Sequence, residues 1–303
     1  ISYDSISGYT FAGGNGPWFG FLDGSTAHHD LLATPLSISG GTVTSGGTVN
    51  DTANAMGISG AASFGSGEGV RLDYVTGLAG TPGSGGDYAT TARQNETYTG
   101  HYDVNGAFIT LSPGNGNSTS VDLSAFVDTG SDSSSSGGSV TANEGTADNV
   151  NGVSIKFGTD STLFSLVGHA LDTIYNVVVG GHTFTVDFMQ TGAGPVHAVV
   201  GGIVDGTTLG VYAVQNYNAL QIDFVDTNYT TATSSTNSHT FQITDFGATS
   251  ITPGLPVSLN LPVQVVDGDG DIASSSISAY LLPSPSSTAD HSGDASGDSH
   301  TYG

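Results

Sequence analysis

Val70-Arg71-Leu72-Asp73-Tyr74-Val75 alternates apolar and polar side chains with a period of two, and that period decides the fold class. Successive side chains of an extended strand point to opposite faces. Val70, Leu72 and Tyr74 therefore share one face and Arg71 and Asp73 the other, as in a strand buried on one side. Leu220-Gln221-Ile222-Asp223-Phe224-Val225 repeats the pattern, and each run is followed by a polar loop and an aromatic-bearing stretch, Tyr98 to Tyr102 and Phe241 to Phe246. The offset, roughly 140 to 150 residues, fits a degenerate internal duplication and equally the ordinary recurrence of β patterns.

The turns around these runs belong to strands as well. Gly180-Gly181 separates Asn176-Val177-Val178-Val179 from His182-Thr183-Phe184-Thr185-Val186-Asp187-Phe188, and paired glycines supply the positive φ of a two-residue hairpin. Asn105-Gly106, between Thr97 to Tyr102 and Ala107 to Leu111, predicts a second hairpin. Glycine pairs at 13–14, 40–41 and 46–47 punctuate short runs such as Pro35-Leu36-Ser37-Ile38. One segment competes for helix: Leu163, Val167, Ala170, Leu171, Ile174 and Val178 are spaced by three and four, with Asp160 or Ser161 as N-cap, which predicts one short helix near 161–172. The expectation is an all-β protein, an antiparallel β-sandwich of Ig-like or jelly-roll-like type, as one or two packed sandwiches with at most one short helix. Residues 129–149 carry no sizeable apolar side chain but Val140 and so contribute little core. The expected organisation is a β domain at 1–135, a Ser/Gly-rich linker or exposed loop at 136–149, a second β domain at 150–283 and a Ser/Gly/Asp-rich tail at 284–303.

Composition narrows the function. Arg71, Arg93 and Lys156 are the only cations against 27 carboxylates, a formal charge of −24. A phosphate backbone is bound by clusters of Lys and Arg that this chain cannot assemble, so nucleic acid is excluded as a partner, and an anionic membrane surface is disfavoured for the same reason. Surface carboxylates at this density are relieved by protonation, by salt or by metal cations. No apolar run approaches the roughly 18 to 20 residues that span a bilayer, so no membrane insertion is expected. There is no cysteine, hence no disulfide framework and no thiolate metal site. The chain begins at Ile1, with no charged leader or apolar h-region, which is expected of a secreted chain whose signal is gone or of a segment of something longer.

The sharpest motif is Asp267-Gly268-Asp269-Gly270-Asp271 after Val263-Gln264-Val265-Val266. Three Asp at alternate positions, spaced by Gly, can fold their carboxylates around one hard cation, and Ca²⁺ tolerates irregular oxygen coordination. An EF-hand is ruled out, because the twelfth residue from Asp267 is Ser278 rather than Glu. The alternative reading is a solvated acidic turn between strands. The stretch 263–282, a strand ending in V-x-V-V-D-G-D-G-D followed by Ser276-Ile277-Ser278-Ala279-Tyr280-Leu281-Leu282, resembles the repeated β-domains of bacterial repeats-in-toxin (RTX) adhesins. The resemblance implies a secreted, calcium-stiffened, β-sandwich-rich surface protein, with Asp267, Asp269 and Asp271 as Ca²⁺ ligands. The family's G-G-x-G-x-D nonapeptide array is missing; Gly13-Gly14-Asn15-Gly16-Pro17-Trp18 has Trp where Asp belongs.

Other constellations are weaker. His28-His29-Asp30 is the only His cluster, and neighbours on a strand diverge; His169, His182, His197 and His239 read as structural imidazoles. No G-x-S-x-G elbow and no phosphate loop with its Lys is present, and no acid and nucleophile single themselves out, so no enzymatic activity is expected. Trp18, with Phe19 and Phe21, is either a sugar-stacking platform or the first core layer. The tail holds Asp290, Asp294 and Asp298, further candidate cation ligands, and an extended tail laid on a neighbouring copy would give self-assembly into a filament. The expected function is a noncatalytic, extracellular, Ca²⁺-stabilised structural or adhesion protein whose partners are other copies of itself or a cell-surface or matrix ligand, glycans included. A carbohydrate-binding module and a secreted hydrolase are the rivals.

Overall fold

The computed structural model describes residues 2–5, 14–23, 29–39, 42–45, 47–58, 63–80, 96–114, 118–129, 145–225, 240–250, 257–266, 268–270 and 272–281. No α-helix occurs among them. The chain divides into two compact units, Ile1–Ser250 and Ile251–Gly303.

The first unit is a β-sandwich of a nine-stranded and an eleven-stranded sheet, with every strand pair antiparallel. In the smaller sheet the spatial order is Asp160–Ser165, Val150–Phe157, Thr207–Ala213, Ala107–Pro113, Phe241–Ser250, Met56–Ile58, Val49–Asp51 and Gly14–Gly16, with Ser2–Ser5 also beside Phe241–Ser250. In the larger it is Tyr175–Val179, His182–Gln190, Val196–Ile203, Thr119–Val127, Ala219–Phe224, Glu68–Thr76, His29–Ser39 and Phe19–Phe21. Thr146–Asp148, Thr42–Ser45 and Gly100–His101 add short pairings to it.

Alternation builds the core. Ile109, Leu111, Val153, Ile155, Leu209 and Val211 of the smaller sheet join Val70, Leu72, Tyr74, Val121, Leu123, Leu220 and Ile222 of the larger in one buried cluster. Each such side chain contributes about 1.5–3 kcal/mol on burial. Tyr74 also ties the layers by a polar contact, its hydroxyl donating to the Gly247 carbonyl at 3.0 Å. The Gly180-Gly181 hairpin forms as expected: Val179 pairs with His182, and the glycines take φ of 57° and 77°.

Three expectations are corrected. Residues 136–149 separate no domains, because strands from before and after them alternate within both sheets; of that stretch, 136–144 lie outside the described residues. The 161–172 segment is not helical. Asp160–Ser165 pairs with Val150–Phe157 through a turn at Gly158, φ 63°, and the apolar stripe is largely uncovered: Leu171 packs against the core, but Val167 is 81% and Ile174 50% exposed. Asn105-Gly106 makes no hairpin. Gly100–His101 pairs in the larger sheet while Ala107–Pro113 pairs in the smaller, so the segment is a crossover between layers. The two similar runs are hydrogen-bonded neighbours in the larger sheet, with Leu72 opposite Leu220 and Arg71 opposite Gln221.

Tyr217 pins that crossover. Fully buried, its hydroxyl accepts from the Ala107 N–H at 2.8 Å and donates to the Val211 carbonyl at 2.7 Å, bridging paired strands. Replacing Tyr217 by Phe leaves a buried donor and acceptor unanswered and is expected to cost about 1–3 kcal/mol in urea unfolding. A change below about 0.5 kcal/mol would show that the bridge is dispensable.

Candidate functional site

The chemistry-bearing side chains gather on the outer face of the larger sheet, opposite the sandwich core. Register places them in rungs. Asp187, Val199, Asp122, Asp223 and Gly69 lie side by side across successive strands; beside them runs Gln221, Arg71 and Thr34, and then Ala219, Asp73 and Leu32. This face is not solvated as alternation predicts: Arg71, Asp73, Thr34, Gln221 and Asp187 are buried. A second apolar cluster, Trp18, Leu32, Val75, Leu78 and Tyr98, covers part of it.

Arg71, with no solvent exposure, donates from Nε to Asp73 Oδ1 at 2.9 Å and from Nη2 to Asp128 Oδ2 at 3.3 Å. Its guanidinium carbon stands 5.1 Å from the centre of the Phe126 ring, a cation–π contact. Asn218 locks Asp128 in place, accepting its N–H at 2.7 Å and donating to its carbonyl at 2.8 Å, and also donates to Asp103 Oδ1 at 3.1 Å. His101 Nε2 lies 3.9 Å from Asp73 Oδ1. Burial pushes the Asp73 carboxyl above its usual range, while Arg71 and then His101 pull it back.

Among the described residues the carboxylate rung has no such cation. His197 Nδ1 donates to Asp122 Oδ1 at 2.6 Å, and this bond, more than the charge of Asp122 and Asp223, raises the imidazole's pKa against its partial burial. Asp223 stands directly opposite Asp122, a like-charge pair, and accepts from Gln221 Nε2 at 2.9 Å. Burial first, then Asp122, pushes Asp223 up to about 7. A Cβ on Gly69 would stand 2.5 Å from Asp223 Oδ1, so only glycine admits this carboxylate. Burial also raises Asp187, against the pull of the Thr173 N–H. Asp187 Oδ1, Asp223 Oδ1 and Gln221 Oε1 are buried without a hydrogen-bond partner. The face thus holds buried acceptor oxygens that no donor among the described residues answers.

The residues singled out by sequence lie elsewhere. Asp269 is exposed in the turn of the Val257–Val266/Ile272–Leu281 hairpin in the second unit. Asp267, Asp271, Asp290, Asp294 and Asp298, and with them the tail, lie outside the described residues. Trp18 is 2% exposed, so it is core and not a stacking platform: Leu32, Val75, Leu78 and Tyr98 enclose it. His29 is exposed and stacks on Tyr102 with ring centres 4.3 Å apart, while buried Asp30 accepts the N–H groups of Asp23 and Leu78. His169 and His182 bond backbone carbonyls, as structural imidazoles do. Sequence reasoning missed Asp122, Asp128, His101, His197 and Asp223 as a group. The available signal was polar residues at alternate positions of strands, but which strands pair is not written locally.

Fold and site define an antiparallel β-sandwich with a buried, acceptor-rich polar face. Comparison of the chain with protein-family models, with curated proteins and with solved structures finds no match.

Asp73, Asp187, Asp223 and His197 all shift upward, so the folded state holds their protons more tightly than the unfolded one. Their contribution to stability is present at low pH and lost as pH rises through the folded values. For Asp223 the window runs from its ordinary 3.8 to about 7. Unfolding free energies from urea titrations are expected to fall from pH 5 to pH 8, by up to about 1.4 kcal/mol per pH unit for each proton. Asp223→Asn should flatten part of that slope and stabilise the protein at pH 8; an unchanged slope would contradict the assignment.

Proposed function

We propose that this is a noncatalytic, extracellular structural or adhesion protein stiffened by Ca²⁺, of the kind the 263–282 stretch resembles. The observation that carries the reading is the position of the acidic motif. The ladder of the second unit runs from Val257 opposite Leu281 to Val266 opposite Ile272, leaving residues 267–271 as its connection. Gly270 takes φ of 95°, a conformation that side-chain-bearing residues resist and that lets a short acidic loop curl. A hairpin tip with alternate carboxylates suits a cation that accepts varied oxygen geometry. The net charge of −24 and the acceptor surplus in the first unit favour the same kind of partner. Secretion into a calcium-containing medium, and attachment to other copies or to a surface ligand, follow from the same reading.

Ca²⁺ that binds only the folded form raises the melting temperature by mass action. Millimolar Ca²⁺ is expected to raise it relative to excess chelator, and Asp269→Ala to remove much of the difference. Coincident melting curves in calcium and chelator would refute the calcium reading.

A further inference from the structure

We propose that Asp73, Asp128 and His101 form a binding site for one first-row divalent transition ion, Zn²⁺ foremost, beside the Arg71 guanidinium. One carboxylate oxygen of each Asp and a ring nitrogen of His101 lie within 4.8 Å of one another, the one such group of three among the described residues. The second observation is independent of that spacing. Asp73 has no solvent exposure, and its Oδ2 takes no hydrogen bond, an expensive vacancy for a buried carboxylate. Oδ1 is already held by Arg71 Nε, which fixes the carboxylate and leaves the other oxygen to a ligand. Arg71 thus orients the first ligand from outside the coordination sphere.

The fold brings the three together from separate strands. Asp73 sits on Glu68–Thr76, His101 on the short strand paired with it at Val75, and Asp128 just beyond Thr119–Val127. Charge counts the same way. Asp73, Asp128 and Asp103, the last joined through Asn218, carry −3 when ionised; Arg71 carries +1, and the remaining −2 matches a divalent ion. The donor set selects the metal. Imidazole nitrogen with carboxylate oxygen suits Zn²⁺, whereas Ca²⁺ takes oxygens only, in larger number. Ligands around tetrahedral Zn²⁺ stand about 3.3 Å apart, so the group closes modestly on the ion. His101 is half-buried and lies two residues before exposed Asp103, which puts the site just beneath the surface. This site is separate from the 267–271 loop and does not depend on calcium there.

The test uses the full chain, stripped with chelator and desalted, and titrated calorimetrically with Zn²⁺ alone at pH 7.5, with and without millimolar Ca²⁺. One equivalent should bind at about micromolar or tighter, undisturbed by Ca²⁺. His101→Phe keeps a ring against Tyr98, whose centre lies 5.2 Å away, and should weaken that equivalent at least tenfold; Asp128→Asn should do likewise. Weak multisite binding unaltered by His101→Phe, or displacement by Ca²⁺, would overturn the proposal. X-ray absorption of the Zn²⁺-loaded wild type needs no variant to fold. A single imidazole among oxygen neighbours is expected, and an all-oxygen shell overturns the site.

Discussion

A guanidinium is always charged, and Arg71 is buried where no water can answer it. The chain must therefore bring carboxylates to it, and it brings Asp73 from two residues along its own strand and Asp128 from the end of Thr119–Val127. Asn218, just before Ala219–Phe224, fastens Asp128 in turn. One cation thereby fixes how three strands of the larger sheet end against each other. Such a network need not exceed a well-packed apolar core in stability, but it is intolerant of error. Slipping Glu68–Thr76 by one residue would turn Arg71 into the sandwich core and expel Leu72, so charge and hydrophobic pattern enforce the same register.

Scarcity gives that cation its weight. With 3 Lys and Arg against 27 Asp and Glu, most carboxylates cannot pair with a cation of the chain itself and are left to neutral donors, as Asp30 is to the N–H groups of Asp23 and Leu78, or to water, protons or a foreign ion. The rung of Asp187, Asp122 and Asp223 shows what happens without an arginine: the carboxyls of Asp187 and Asp223 shift toward protonation, and acceptor oxygens stay unpaired. In the two proposals made above, calcium at the 267–271 loop and a transition ion at Asp73 would join proton uptake as answers to one shortage of positive charge. They differ in address because they differ in donors: oxygens alone at a Gly-rich hairpin tip, an imidazole among carboxylates in the sheet.

Period-two alternation made the β-sandwich legible, because the core-facing positions of Val70–Val75 and Leu220–Val225 are set by local geometry. Gly180-Gly181 was legible for the same reason: a two-residue turn needs its positive φ where it stands. The polar half of those strands was misread as a solvated face. The same outer face carries the buried cluster of Trp18, Leu32, Val75, Leu78 and Tyr98, of which Trp18 and Tyr98 come from other parts of the chain, and burial by residues remote in sequence leaves no periodic trace. Nor was the partnership of Asp122 with Asp223 readable, since pairing depends on a chain path that carries Ala107–Pro113 and Thr119–Val127 into different layers. The helix expected at 161–172 failed because a 3.6-residue stripe is stabilised only against a neighbour, and Val167 and Ile174 stand 81% and 50% exposed.

The most direct test of Arg71 as the organising charge compares urea unfolding of Arg71→Met, of Asp73→Asn/Asp128→Asn, and of the three substitutions combined. Arg71→Met strands two buried carboxylates and should cost about 3–5 kcal/mol, while the triple variant, with no charge left to answer, should recover most of that loss. If Arg71→Met changes stability by less than about 0.5 kcal/mol, or if the three losses simply add, the network does not organise the sheet.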